Sequence, residues 1–136
     1  MQITIEGKPE PQLRPRATRI GNSIRLYDPK TTTNYKNHVK LSAKQQWKGK
    51  PLECPLVVEL DIYRQIPKST SKKRRKLMNE RVIRPTVKPD LSNYVKGIED
   101  ALSGIVYKDD SQIVDLIARK FYSDNPRVEI RVSKLD

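Results

Sequence analysis

The sequence is poor in the residues that build several common kinds of site: it has 1 cysteine, 1 histidine and 5 glycines among 136 residues. A single thiol, Cys54, excludes an internal disulfide and forms neither a zinc site nor a redox pair by itself. The glycines form no phosphate-binding loop and no dinucleotide fingerprint, which argues against chemistry driven by a nucleoside triphosphate. His38 lies inside a predicted helix without suitably spaced partners, so a surface role is favoured over a catalytic triad.

Long apolar runs are also absent. Hydrophobic residues make up 35% of the chain, against roughly 45–50% apolar residues in an average domain. We therefore expect a modest core that a subunit interface helps to complete. No stretch approaches the ~20 apolar residues of a membrane helix, and the N-terminal segment lacks the basic start and apolar run of a signal peptide. These absences predict a cytoplasmic protein rather than a membrane or exported one.

Positive charge is abundant and unevenly distributed. The chain has 28 Lys and Arg against 16 Asp and Glu, a formal charge of +12. Residues 1–88 hold 21 basic and 7 acidic residues, a net charge of +14, whereas residues 89–136 hold 7 and 9, a net charge of −2. This excess goes beyond the charge of about 2–8 that keeps a small domain soluble. It predicts a polyanionic partner, and nucleic acid fits best because each neutralised phosphate releases condensed counterions.

Hydrophobic periodicity predicts a single α+β domain over residues 1–136, with a mixed sheet and about three helices. Alternating apolar residues predict strands over 3–5, 56–64, 113–122 and 128–132, and a hairpin that turns at Gly21-Asn22. The spacing of apolar residues predicts a helix over 31–48 and a second helix from Asp90 to just before Gly104. Ser69 and Ser71 can cap the start of a short basic helix that carries residues 72–76.

The helix after Asp90 carries the residues best suited to chemistry. Its apolar side chains share one face, while Ser92, Lys96 and Glu99 lie on the other. Asp90 and the pair Asp109-Asp110 can approach this polar face if the chain folds back after the helix. Carboxylates hold hard divalent ions such as Mg²⁺, which activate water and polarise phosphoryl groups. A lysine nearby stabilises the negative charge of the transition state. The grouping therefore favours phosphodiester hydrolysis.

Each of these residues has a purely structural alternative, and the pattern leaves it open. Asp90 is a good helix N-cap, the Asp109-Asp110 pair can make a turn, and Lys96 can be a solvated helix lysine. The basic run over residues 72–76 can be a solvated arm.

Three segments resemble the RusA-type Holliday-junction resolvases, a family common in bacteriophages and prophages. They are Lys88-Pro-Asp-Leu-Ser-Asn-Tyr-Val-Lys96, Glu99-Asp-Ala-Leu102 and Tyr107-Lys-Asp-Asp-Ser-Gln-Ile-Val114. The resemblance extends to Arg14-Pro-Arg16, to Tyr27-Asp-Pro-Lys30, and to Pro67-Lys-Ser69 with the basic run after it, so it covers most of the chain.

This resemblance implies a homodimeric, Mg²⁺-dependent endodeoxyribonuclease that cuts two opposed strands of a four-way DNA junction during recombination and repair, with Mn²⁺ expected to substitute. It implies that Asp90 and Asp110 bind the metal and that Lys96 is catalytic, with Asp109 as the neighbouring acid. The family normally has a second aspartate where this chain has Ser92. A neutral hydroxyl attracts a hard dication less strongly, so metal affinity falls unless Asp109, Glu99 or water compensates.

Recognition of such a junction would rest on shape and backbone charge, and a twofold dimer matches its approximate twofold symmetry. The predicted phosphate contacts are Arg14, Arg16, Lys72, Lys73, Arg74, Arg75, Lys76 and Lys88. The alternative function is a nonenzymatic or weakly active branched-DNA-binding protein of the same fold.

Overall fold

A computed structural model describes all 136 residues and confirms a single α+β domain with a mixed sheet and three helices. The strands are β1 (Gln2–Glu6), β2 (Arg16–Ile20), β3 (Ser23–Tyr27), β4 (Leu56–Gln65), β5 (Ile113–Ser123) and β6 (Arg127–Lys134). The helices are α1 (Lys30–Gln46), α2 (Lys72–Asn79) and α3 (Leu91–Leu102), and a 3₁₀ turn spans Asp110–Gln112. None of the helices has the length and apolar character needed to cross a membrane.

The main sheet has four strands in the order β1-β6-β4-β5. β4 is antiparallel to β6 and parallel to β5. β5 and β6 therefore do not pair with each other, although only a short turn separates them along the chain. Parallel neighbours need a long crossover connection, and here the segment that contains α2 and α3 supplies it. This topology leaves β5 at one edge of the sheet.

Helices α1 and α3 cover one face of the sheet and form the core with it. Val58, Leu60 and Ile62 of β4 are almost fully buried and belong to a cluster of 19 buried apolar residues. Tyr94 and Ile98 of α3 belong to the same cluster, as expected for the apolar face of an amphipathic helix. The orientation of α3 is thereby determined, with its apolar face inward and its polar face outward.

The other face of β4 carries charge. Asp61 is 5% exposed and accepts hydrogen bonds from Arg119 at 3.0 Å and Arg131 at 2.7 Å. Burial alone raises the pKa of Asp61, but the two guanidinium groups outweigh it and hold the pKa below its usual value. Glu59 binds the same two arginines. The alternation of apolar and acidic residues in β4 thus reflects two differently covered faces.

Strands β2 and β3 form a separate two-stranded sheet, which we call the β2–β3 ribbon (residues 16–27). The predicted turn at Gly21-Asn22 is confirmed, and Gly21 adopts a positive φ of 59° that suits glycine in a tight hairpin turn. All ten strand residues of the ribbon are exposed.

Only one of the two N-caps predicted for the basic helix α2 is confirmed. Ser71 is the N-cap, and its Oγ accepts a hydrogen bond from the backbone N–H of Arg74 at 3.3 Å. Ser69 lies outside the helix, so its predicted capping role is wrong. Met78 is the one buried residue of α2, which leaves the basic side chains mostly in solvent.

Candidate active site and nucleic-acid interface

Asp90 occupies the N-cap position of α3, but its carboxylate does not cap the helix. The backbone of Asp90 is extended, and its carbonyl accepts the N–H of Asn93 at 3.1 Å. The side chain makes no capping hydrogen bond, and Asp90 is exposed. The carboxylate is therefore free to bind another group at the positive end of the helix dipole.

Lys96 and Asp110 line the same surface cleft. This cleft has a volume of about 320 Å³ and is lined by Gln12, Pro15, Asp28, Lys36, Lys96, Asp100 and Asp110. The chain reverses after α3 at Gly104, which has a φ of 87°, and so returns Asp110 to the helix that carries Lys96. The chain thus folds back after the helix as predicted, and Asp110 lines one cleft with Lys96. Asp90, six residues before Lys96, is about 9 Å away along the helix axis and does not line the cleft.

A second, more open groove runs between α3 and the edge strand β5. It has a volume of about 540 Å³ and is lined by Leu91, Ser92, Val95, Lys96, Glu99, Leu116 and Ala118. Ser92, Lys96 and Glu99 thus share one side of the helix, as their spacing predicted. Lys96 lines both the groove and the cleft, so the two depressions meet at this side chain.

Of the two acidic residues of α3, Glu99 is the more buried, since Asp100 is exposed. Its side chain is half-buried, and burial raises the pKa of its carboxyl group. The negative charge of Asp110 raises this pKa further. The charge of Asp110, which lines the cleft, therefore acts on Glu99, which lines the groove. Sequence reasoning considered Glu99 only as a substitute ligand, because its proximity to Asp110 depends on the fold.

Asp109 has a structural task that Asp110 does not have. Its carboxylate accepts the N–H of Ser111 at 3.1 Å, and its own N–H donates to the side chain of Gln112 at 2.9 Å. The bonds from Ser111 lower the pKa of Asp109. Gln112 also donates to the carbonyl of Leu52 at 2.8 Å. This capping box fixes the turn that presents Asp110 to the cleft.

Lys36 neutralises two further carboxylates in the cleft. Its ammonium group donates to Asp28 at 3.3 Å and to Asp100 at 2.6 Å. Burial alone lowers the pKa of Lys36, but the bonds to Asp100 and Asp28 outweigh this effect and raise it. Lys36 therefore stays protonated at neutral pH. Sequence reasoning missed this residue, because no local pattern links it to an aspartate 64 positions away.

The acidic side chains of the site are divided between the groove and the cleft and do not form one cluster. No three His, Cys, Asp or Glu side chains lie close enough together to hold a metal ion. Mg²⁺ is often bound by one or two carboxylates, with water and substrate phosphate completing its octahedron. Asp110 lines the cleft and Glu99 lines the groove, so each can supply one such carboxylate. The predicted ligand set of Asp90, Ser92, Asp109 and Asp110 is not assembled around one point, and its role stays a prediction.

The predicted phosphate contacts are exposed, with one exception. Arg14, Arg16, Lys72, Lys73, Arg74, Lys76 and Lys88 are all exposed. Arg75 is half-buried, forms an ion pair with Asp124 and donates to the carbonyl of Pro67 at 3.3 Å. We conclude that Arg75 helps to hold α2 in place. Sequence reasoning overlooked Arg19 and Arg25 on the ribbon, although no acidic residue occurs between residues 11 and 27.

The sequence of this chain is similar to those of known proteins. Residues 6–133 match the family described as endodeoxyribonuclease RusA. The chain is 39% identical to the uncharacterized protein YqaN of Bacillus subtilis (strain 168), over 137 residues that cover 99% of this chain and 96% of that protein. It is 26% identical to the crossover junction endodeoxyribonuclease rusA of Lactococcus phage r1t, over 140 residues that cover 98% and 96%. The chain therefore belongs to the RusA endodeoxyribonuclease family, and the resemblance of its motifs is confirmed.

Proposed function

We propose that this protein is a Mg²⁺-dependent endodeoxyribonuclease that resolves four-way DNA junctions by paired nicks during recombination and repair in the cytoplasm. The observation that carries the proposal is the shared cleft of Lys96 and Asp110 beside a half-buried Glu99, in a chain of the RusA family. A cation, a free carboxylate and a desolvated carboxylate at one place are the components of metal-assisted phosphodiester hydrolysis.

Lys96 and the carboxylates have distinct tasks in this proposal. When bound, the Mg²⁺ ion polarises the phosphoryl oxygen and lowers the pKa of a water molecule. We assign Asp110 and Asp90 to the ion, with Ser92 as a neutral oxygen donor, which requires the two carboxylates to come closer together when the metal binds. Lys96 is exposed and one turn from Ser92, so its ammonium group can donate to a non-bridging phosphate oxygen. There it offsets the charge that grows in the transition state.

Lys36 keeps the rest of the cleft accessible to DNA. The carboxylates of Asp28 and Asp100 would repel a phosphate, but both are paired with this lysine. Asp110 forms no such ion pair and remains available. Two acids of the cleft are thus neutralised by Lys36, and Asp110 alone keeps a free negative charge. A polyanionic substrate can approach the cleft because most of its acidic charge is paired.

A dimer provides the two nicks that resolution requires. We propose a homodimer in which the exposed edge of β5 meets a second copy of this chain. Val114, Leu116 and Ile117 are 54%, 44% and 42% exposed, and β5 pairs with β4 on one side only. An apolar edge strand that is left uncovered promotes pairing with another chain. A twofold pair of sites would match the approximate twofold symmetry of a four-way junction.

The second candidate is a protein that binds branched DNA and cuts it poorly or not at all. Two observations favour it. Ser92 stands where the resemblance to the family implies an aspartate, and no three potential ligands lie close enough together to hold a metal ion. Both weaken the attraction for a divalent cation.

The deciding experiment incubates the unmodified protein with a synthetic mobile four-way junction, with Mg²⁺ or with EDTA. We expect paired nicks in opposed strands with Mg²⁺ only. Asp90→Asn and Asp110→Asn should abolish cleavage while binding persists or tightens, because fewer negative charges then face the phosphates. Glu6→Gln is the matched control, since Glu6 is exposed at the end of β1. Binding of the junction without cleavage by the unmodified protein would favour the second candidate.

A further inference from the structure

We propose that the β2–β3 ribbon inserts into branched DNA, with its apolar side chains against base-pair faces that a branch point exposes and its arginines on the flanking phosphates. The inference takes DNA as ligand from the proposed function and adds the element that distinguishes a branch from a continuous duplex.

The ribbon has the charge of a nucleic-acid-binding element. Arg14, Arg16, Arg19 and Arg25 lie on or directly before it, and residues 11–27 contain no acidic side chain. None of the four guanidinium groups forms an ion pair within the chain. Arginine binds phosphate through a planar fork of donors. The guanidinium groups of these four arginines are therefore available to a polyanion and have no anionic partner within this protein.

The register of the two strands separates the side chains into two faces. Arg16 pairs with Tyr27 on one face, and Ala17 pairs with Leu26 on the other, where Arg19 lies opposite Ile24. Cross-strand pairs lie side by side on the same face. Ile24 is 74% exposed and Leu26 is 65% exposed. The ribbon therefore presents aliphatic side chains to solvent beside its guanidinium groups.

No other part of this chain covers the apolar side chains of the ribbon. A two-stranded ribbon with both faces in water is marginally stable, so an uncovered aliphatic face indicates a partner. Proteins that unstack DNA insert aliphatic side chains between base steps, with basic side chains nearby. A branch point already interrupts stacking, so the unstacking that insertion requires is smaller there than in a continuous duplex.

The base of the ribbon is held next to the candidate active site. The backbone N–H of Gln12 donates to the carbonyl of Asn93 in α3 at 2.9 Å, and that of Leu13 donates to the hydroxyl of Thr32 at 3.2 Å. Thr32 is 2% exposed. Gln12 also lines the cleft that contains Lys96. DNA engaged by the ribbon would therefore lie close to that lysine.

The experiment compares binding of a four-way junction with binding of a linear duplex made from one of its arms. It uses the full chain in EDTA, so that no hydrolysis contributes. The apolar variant combines Ile24→Thr and Leu26→Thr, which keep strand propensity. The matched control combines Val82→Thr and Val87→Thr, which replace two valines that are 67% and 54% exposed elsewhere. A third variant combines Arg19→Gln and Arg25→Gln.

We expect the apolar variant to lose about tenfold of its preference for the junction over the duplex, which corresponds to about 1.4 kcal/mol, with duplex affinity nearly unchanged. The arginine variant should weaken binding to both DNAs and reduce the salt slope by up to about 0.9 per lost phosphate contact. A 2-aminopurine base at the branch point should brighten with the unmodified protein and brighten less with the apolar variant.

An unchanged ratio of junction to duplex affinity would overturn the proposal. A change in oligomeric state of the apolar variant, measured by sedimentation, would also overturn it by assigning the ribbon to a second copy. Circular dichroism and thermal melting of each variant show whether the main domain remains folded. These binding readouts need no cleavage, so they can be interpreted even if the protein is not a nuclease. If the protein cuts junctions but the ratio of affinities is unchanged, only the proposal for the ribbon is refuted.

Discussion

A β-carbon on Gly97 would lie 3.5 Å from the backbone nitrogen of Gln12. Gly97 directly follows Lys96 in α3, and Gln12 belongs to the segment that leads into the ribbon. The two segments thus pack backbone to backbone, without a side chain from Gly97 between them. Any residue that widens this contact should move the ribbon relative to the candidate catalytic lysine.

Substitutions at Gly97 should therefore have opposite effects depending on size. Gly97→Ala places its methyl group at an ordinary contact distance and should stabilise α3 by up to about 1 kcal/mol, the helix-propensity difference between these residues. Gly97→Val adds two more carbons towards Gln12 and should cost about 1–3 kcal/mol through overpacking. Urea unfolding measures both. Equal stability of the two variants would show that the segment before the ribbon yields freely.

Removal of the Glu99 carboxylate should change how stability depends on pH. Because the folded-state pKa is raised, the native state holds its proton more tightly than the unfolded state. The free energy of unfolding then falls as pH rises from about 4.3 through the raised pKa. Glu99→Gln should be more stable than the unmodified protein above this range, by less than about 1 kcal/mol because solvent screens a half-buried group.

The difference between Glu99→Gln and the unmodified protein should vanish well below about pH 4.3, where Glu99 is protonated in both the folded and the unfolded state. Thermal melting in metal-free buffer at acidic and slightly alkaline pH measures it. The same difference at both pH values would assign the effect to packing rather than to charge.

The basic side chains of α2 should differ in their contribution to DNA binding. Neutralising Lys73 and Arg74 should reduce the salt slope of junction binding by up to about 0.9 per lost phosphate contact. Arg75→Gln should leave the slope nearly unchanged and cost about 1 kcal/mol of stability, because Arg75 is bound to Asp124 and to the carbonyl of Pro67. Fluorescence anisotropy over a salt series measures the slopes, and an unchanged slope for the first pair would remove α2 from the interface.

Restoring an acidic residue at position 92 should strengthen metal binding. Ser92 lies in the first turn of α3, where a carboxylate also stabilises the helix by about 0.3–1 kcal/mol. Ser92→Asp should raise the affinity for Mn²⁺, measured by calorimetry without DNA, and should speed junction cleavage at limiting Mg²⁺. Ser92→Asn is the control that adds a similar volume without charge. Equal metal affinity for all three proteins would mean that position 92 does not touch the ion.

Local patterns predicted the elements of this protein well. The periodicity of α3 correctly predicted its apolar face, and Ser92, Lys96 and Glu99 lie together on the opposite face as expected. The ends of the segments were predicted less accurately, since the helix predicted to reach residue 48 ends at Gln46. Periodicity and capping chemistry act between residues within a few positions of each other, so a single segment contains the information that specifies them.

The sequence by itself determined that the protein is basic, belongs to a nuclease family and carries an amphipathic helix with a lysine on its polar face. Only the tertiary structure decided which acids line a cleft with this lysine. β4 lies between β5 and β6 and so separates two strands that are neighbours along the chain. The ion pair of Lys36 with Asp100 joins two distant segments, and the cleft brings Asp110 to the helix that carries Lys96. Such contacts arise because packing the whole chain minimises exposed apolar surface, and no local pattern contains that information.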